Sequence, residues 1–425
     1  MKRFFAMAVC SLFIYLNFTP LFALGAEAPD VLSETAVLID GKTGQVLYEK
    51  NAHQKMYPAS TTKILTGLLA VELGEMSDVI TYSYDAVYGI GRGTSHASIS
   101  QGEELTLEQS MYALSIESAN DAAAGIGEYV AAKAGKGLSE LMNERAKAAG
   151  AKNSNFVNAH GLHDKNHYTT AYDLAMIAKE CIKHEEFNEI FTAGRFSIPP
   201  TNKQPKTRTF NSSNWFTNNV FIYDGNFDRE DLLMTKTGWT GEAQHTMVTA
   251  IDHDGLTLIA VVMKTSVDDY KWMDTENLFN WALEAFKKVD VSGEYIALCA
   301  DEKTAVDESG KFFVKREDIV CEDAQVVLSA NDSVDNIRAE YTDPVPDSEM
   351  KNATFTVNLY TGEGSGRTIL ATVQAKGPVS EGTIFVSAVP QAEVNTASNM
   401  VMCVIFGLLT FVAVMICDIL IGKRI

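Results

Sequence analysis

From Met400 to Cys417 the chain reads MVMCVIFGLLTFVAVMIC, apolar without interruption. A run close to the roughly 20 residues that carry a helix across a bilayer predicts that this segment spans one. Lys423 and Arg424 follow it directly, so the positive-inside rule places the C-terminus in the cytoplasm and the preceding chain outside. Asp418 lies at the boundary, where a carboxylate reaches the headgroup layer. The other end opens with Lys2 and Arg3, continues through an apolar run and arrives at small residues between Ala23 and Ala28. That is the pattern of a secretory signal peptide, expected over residues 1–26. The two ends confine the folded part to the segment between them and predict a single-pass cell-membrane protein, its transmembrane helix at 400–422.

The 425 residues, 46% hydrophobic and 21% charged, leave room for two folded units. A formal net charge of −20 without a basic patch argues against a nucleic-acid partner. Of six cysteines, Cys181, Cys299 and Cys321 fall between signal and anchor. Their odd count argues against a disulfide framework, while a Cys299–Cys321 pair stays open.

After the signal, TAVLIDGKTGQVLYEKN alternates on both sides of Asp40-Gly41-Lys42-Thr43-Gly44, which predicts a β-hairpin with Lys-Thr-Gly in its turn. A phosphate loop is excluded because the glycine required five residues before Gly41 is Ala36. From Ser60 to about Glu185 apolar residues recur at helical spacing. Strands return at MVTAI and LTLIAVVMKT around the turn Asp252-His253-Asp254-Gly255, and DTENLFNWALEAF closes the unit as a helix near Lys288. The expected fold of residues 27–288 is α+β, an antiparallel sheet with a helical region. From 289 to 390, EYIALCA, KFFVK, AQVVLSA, NATFTVNLY, TILATVQA and GTIFVSAV read as short strands of a small all-β domain. Residues 391–399 then form a juxtamembrane connector.

Three short words carry chemistry. Ser60 precedes a helix pattern, and Lys63 follows at a spacing that puts both on one helical face. A serine hydroxyl is a weak nucleophile until a base takes its proton, and a desolvated lysine can be that base; Ser60 could equally be a helix cap. Ser118-Ala119-Asn120 falls between two helix patterns, where Asn120 or Asp121 could instead cap the next helix. A second Lys-Thr-Gly, Lys236 to Gly238, opens a strand region: a lysine and a hydroxyl on a strand edge can bind a carboxylate, and the glycine admits a close backbone. Two rival features are His160, His163, Asp164 and His167, whose donor types suit zinc, and the aromatics from Trp215 to Phe227, which either line a cleft or anchor a loop.

In this order Ser-x-x-Lys, Ser-x-Asn and Lys-Thr-Gly resemble the penicillin-interacting serine enzymes. YPASTTK, SANDA, HGLHDKNHYTTAYDLA and KTGWT resemble more closely the D-alanyl-D-alanine carboxypeptidases, serine peptidases of the S11 type among the low-molecular-mass penicillin-binding proteins. That family has a signal peptide, a β-rich second domain and a C-terminal membrane attachment. The resemblance implies a serine β-lactamase/penicillin-binding-protein-like fold in which Ser60 attacks the carbonyl between two terminal D-alanines of a peptidoglycan stem peptide and Lys63 is its base. It implies that Ser118 relays a proton, Asn120 holds the substrate amide, Lys236, Thr237 and Gly238 receive the terminal carboxylate, and the backbone amides of Ser60 and Trp239 form an oxyanion hole. β-Lactams would acylate Ser60 and inhibit; no cofactor or metal is expected. The best-known members carry His where this chain has Trp239. In that resemblance the histidine stretch is a loop packed before a helix. A β-lactamase would need a water-activating glutamate in an E-x-x-x-N word, and the one found, Glu276 to Asn280, comes after Lys236 rather than before it. A non-catalytic peptidoglycan binder would be expected to have lost the nucleophile or the base, and both are present.

Overall fold

The computed structural model describes residues 27–91, 93–217, 229–299, 303–305, 311–362 and 367–381. The expected signal peptide, the connector, the transmembrane helix and the GTIFVSAV strand lie outside the described residues. Among the described residues no helix is long and apolar enough to cross a membrane.

Strand β1 (Thr35–Asp40) and β2 (Val46–Lys50) form the hairpin that the alternation predicts. Asp40 makes its turn: one carboxylate oxygen accepts both the Thr43 amide (2.7 Å) and the Thr43 hydroxyl (2.5 Å), and its carbonyl accepts the Gly44 amide (2.8 Å). Gly44 has φ +83°, a conformation that favours glycine. The first Lys-Thr-Gly is thus a turn.

β1 joins β5 (Leu256–Thr265), which pairs with β4 (Gln244–His253), which pairs with β3 (Leu232–Thr240). The sheet runs β2-β1-β5-β4-β3, antiparallel throughout, with β3 at one edge. Asp254 and Gly255, both at positive φ, close the tight β4–β5 turn. β1 is buried along its whole length because the sheet is covered on both faces. Val37 and Ile39 face a helical core with α1 (Lys63–Leu73), α2 (Leu107–Ile116), α3 (Asn120–Ala134) and α4 (Ala171–Cys181). Ala36 and Leu38 face a second core with Leu278, Phe279 and Ala282 of α6 (Asp268–Ala285). Helix α1 lies at the centre, with Ile64, Leu65, Leu68 and Ala70 at zero exposure. An added Cβ on its Gly67 would stand 3.0 Å from the rings of Phe187 and Phe191 on α5 (Glu185–Thr192).

Beyond α6, β6 (Phe286–Val291) pairs with β7 (Ala324–Ser329). β8 (Arg338–Pro346), β9 (Asn352–Thr361) and β10 (Thr368–Pro378) form a sheet with the short strand Val320–Cys321 around a separate core. One predicted strand is overturned: residues 294–298 of EYIALCA lie on helix α7 (Gly293–Leu298), capped by the Ser292 hydroxyl, which accepts the Tyr295 amide at 3.2 Å. Its alternation was too short to outweigh a serine cap and the helical burial of Ile296 and Ala297. Cys181, Cys299 and Cys321 are free thiols.

Candidate active site

The candidate nucleophile sits where the chain is forced into a narrow path. Ser60 belongs to a short 3-10 turn, Ala59–Thr62, that leads directly into α1. Ala59 has φ +49°, and Gly161, at φ +82°, passes so close that a Cβ there would lie 1.8 Å from the Ala59 carbonyl oxygen. Helical continuity from this turn brings Lys63 Nζ to 2.9 Å from Ser60 Oγ.

Lys63 has no solvent exposure. Its amine donates to Asn120 Oδ1 (2.7 Å) and to the His160 carbonyl (2.8 Å). Those two oxygens can only accept, so together they use both N–H groups of a neutral amine and leave its lone pair for the Ser60 hydroxyl. Burial, reinforced by repulsion from Lys236, holds Lys63 well below the ordinary lysine value, against the opposing pull of Asp121. The amine is therefore suited to act as a base.

Asn120 opens α3, and its amide donates to Ser95 O at 2.9 Å. The neighbouring Asp121 is not the helix cap, a position taken by Ala119 without a side-chain hydrogen bond. The Asp121 carboxylate accepts the amides of Ala97 (3.0 Å), Ile99 (3.1 Å) and Ala122 (2.9 Å), tying the 95–99 loop to the start of α3. Ser118, at φ +55°, lines the same cleft as Ser60.

The opposite wall is β3. A Cβ on Gly238 would fall 2.6 Å from Thr246 Oγ1, 2.8 Å from the Ser60 amide nitrogen and 3.0 Å from the Pro58 carbonyl. Any side chain there would push the strand off the nucleophile. Lys236 is 3% exposed, donates to the Thr237 carbonyl (3.0 Å), and is pulled by burial down to about 7. Thr237 and Trp239 line the cleft, and Trp239 leaves 62% of its surface free. The cleft holds about 700 Å³ and gathers Ser60, Ser118, Lys236, Thr237, Gly238 and Trp239; Lys63 and Asn120 stand behind Ser60.

The histidines disperse. His167 Nδ1 accepts the Val157 amide (3.1 Å), so its Nε2 carries the proton and donates to Thr62 Oγ1 (2.8 Å). His160 Nδ1 accepts the Leu162 amide (3.2 Å), and His163 packs edge-on against Tyr57 at 4.6 Å. Burial lowers His160 to about 3 and His167 to about 4, so both are neutral. Among the described residues no group of three or more His, Cys, Asp or Glu is placed to hold a metal ion. Glu276, of the E-x-x-x-N word, pairs with Arg229 at 3.0 Å beside Asp231 rather than lining this cleft.

Several cleft residues were not singled out from sequence. His245 on β4 reaches Asp268 of α6 at 2.8 Å, and Asp268 pairs in turn with Lys271. Trp272 stacks on Trp215 with centroids 5.1 Å apart. Trp215 thus lines the cleft, and Phe216 is a buried anchor; residues 218–227 of that stretch lie outside the described residues. The His160 carbonyl that orients Lys63 carries no sequence signal, since every residue has one. The α6 residues were legible only as part of a closing helix.

A family model described as D-alanyl-D-alanine carboxypeptidase matches residues 23–267. Among curated relatives, the D-alanyl-D-alanine carboxypeptidase DacF of Bacillus subtilis is 31% identical over 260 residues, which is 60% of this chain and 63% of that one. DacC of Escherichia coli is 29% identical over 294 residues, 67% and 70% of the two chains. The chain thus spans slightly less than two thirds of the first relative's length and slightly more of the second's. Penicillin binding protein 5 of Haemophilus influenzae has the same fold, with TM-score 0.64 and 22% identity, covering 84% of this chain and all of that one. The Streptomyces K15 DD-transpeptidase superposes with TM-score 0.54 and 22% identity over 60% of this chain and 99% of its own.

Proposed function

Since the chain belongs to the D-alanyl-D-alanine carboxypeptidase family, whose model covers residues 23–267, we propose that it removes the terminal D-alanine from peptidoglycan stem pentapeptides through an acyl-enzyme on Ser60. The observation that carries this reading is the Lys63 amine, held by two acceptors with its third direction on Ser60 Oγ at 2.9 Å. Lys63 takes the serine proton as Oγ attacks the carbonyl carbon between the two D-alanines. The tetrahedral oxyanion is held by the backbone amides of Ser60 and Trp239, since donors fixed in the backbone stabilise charge that develops in the transition state. Lys236 and Thr237 hold the terminal carboxylate, Asn120 the substrate amide, and Gly238 supplies the close approach. Ser118 relays the proton held by Lys63 to the departing amine, the C–N bond breaks, D-alanine leaves and Lys63 is neutral again. Water, deprotonated by Lys63, then cleaves the ester, and Lys63 passes that proton to the departing Ser60 Oγ. A β-lactam offers the same carbonyl and carboxylate and acylates Ser60 without rapid release.

Residues 27–288 form the catalytic domain and 289–390 a β-rich domain, joined through 391–399 to a single membrane-spanning helix at 400–422; the apolar run and the basic residues after it support that attachment. The catalytic domain then works on the extracytoplasmic side of the cell membrane.

The test is D-alanine release by the full chain in detergent from a peptide ending in Lys-D-Ala-D-Ala. Release is expected from the native protein and none from Ser60→Ala. If neither releases D-alanine while penicillin still labels Ser60, the carboxypeptidase reading is wrong and the serine serves another acyl substrate.

A further inference from the structure

Trp239 combines two properties that the proposed reaction does not use: a large indole, and 62% exposure inside a cleft. It lies two residues beyond Thr237, so both side chains stand on the same face of β3. β3 is the outermost strand of its sheet. An extended peptide laid antiparallel along that edge with its carboxylate at Thr237 advances about 3.3 Å per residue. Its third residue from the C-terminus then arrives about 7 Å on, under the indole. The charge at this rim is negative. His245, whose ring centroid is 6.3 Å from that of Trp239, contacts Asp268, and two carboxylates that line the cleft, Asp268 and Asp269, face one cation, Lys271, which both attract. A ligand that is anionic at the Lys236 end and cationic at the Trp239 end matches the cleft from end to end.

We infer that Trp239 is a specificity residue, its indole receiving the free side-chain amine of a diamino acid at the third position from the peptide's C-terminus. This rests on the carboxypeptidase reading. An ammonium over an indole face is attracted by the ring quadrupole, whereas an acylated amine is neutral and loses that attraction. The enzyme then prefers stem peptides whose side-chain amine is unsubstituted over those in which it has been acylated by cross-linking.

The experiment compares kcat/KM of the full chain in detergent on Nα-acetyl-Lys-D-Ala-D-Ala and Nα,Nε-diacetyl-Lys-D-Ala-D-Ala. The free amine is expected to be favoured roughly 3- to 10-fold. In Trp239→Leu the ratio should fall to about 1, whatever the absolute rates, and in Trp239→Phe most of it should persist; penicillin labelling of Ser60 confirms that each variant is folded. Equal rates on the two peptides with native protein, or a preference that survives in Trp239→Leu, overturn this inference and leave the carboxypeptidase reading standing. Release from neither peptide overturns that reading, and the inference with it.

Discussion

In the proposed reaction the two lysines of the cleft need opposite protonation states, and burial disfavours the charged form of each. Lys63 has to be neutral to take the serine proton, and burial with repulsion from Lys236 lowers it well below its ordinary value. Lys236 has to be charged to hold a carboxylate, and burial brings it to about 7. As pH rises through 7 Lys236 loses its proton, and as pH falls Lys63 gains one. A bell-shaped profile of kcat/KM is therefore expected, with the alkaline limb near 7 in the free enzyme. A plateau up to pH 9 would show that Lys236 keeps its charge. Gly238 gives a steric prediction at the same scale. Gly238→Ala forces a methyl group against the Ser60 amide and Thr246 Oγ1, and a displacement of about 1 Å between nucleophile and strand is expected to lower the rate of penicillin acylation about 100-fold. Ser60, Lys63 and Lys236 were legible in sequence because their chemistry resides in side chains at telling spacings. The His160 carbonyl was not, because a backbone acceptor leaves no letter.

At the scale of elements, the start of α3 is the joint on which the cleft depends. Asp121 alone anchors the amides of Ala97, Ile99 and Ala122 while its neighbour Asn120 reaches Lys63. Asp121→Ala leaves those buried donors without an acceptor, at about 1 kcal/mol or more each. A stability loss of about 3 kcal/mol is expected in denaturant titration, with slower acylation of Ser60. A wild-type midpoint would mean that water replaces the carboxylate. The hairpin of β1 and β2 was legible because its turn chemistry and its alternation agree. α7 was misread as a strand because six residues cannot establish a period, and the Ser292 cap that decides it looks like any loop serine.

For the molecule as a whole, the question is whether the two parts unfold together. Val327 of β7 is 3% exposed and belongs to the core formed by α6 and the sheet. Ala330 N donates to Ala285 O at 2.7 Å, and Lys42 of the first turn reaches Gln325 at 2.9 Å. Val327→Ala removes two buried methyl groups at a cost of about 2 kcal/mol, and calorimetry is expected to resolve one native transition into two. A single sharp transition in the variant would place the coupling elsewhere. The sequence signalled a β-rich second part through its alternating strands, but not this joint, because a valine that seats in a foreign core looks like one that seats in its own.

The position of β3 at the end of the sheet also bears on how the protein behaves at high concentration. A strand that offers its edge to a peptide offers it to the edge of any other molecule, and open edges are where folded proteins begin to stack. Here the edge is interrupted by a buried lysine and by a bulky ring two positions from a threonine. A short ligand with a carboxylate can satisfy that lysine, whereas a long strand from a neighbouring molecule would have to bury its charge unanswered. The groups that select a substrate would then also keep the protein from aggregating through its own active site.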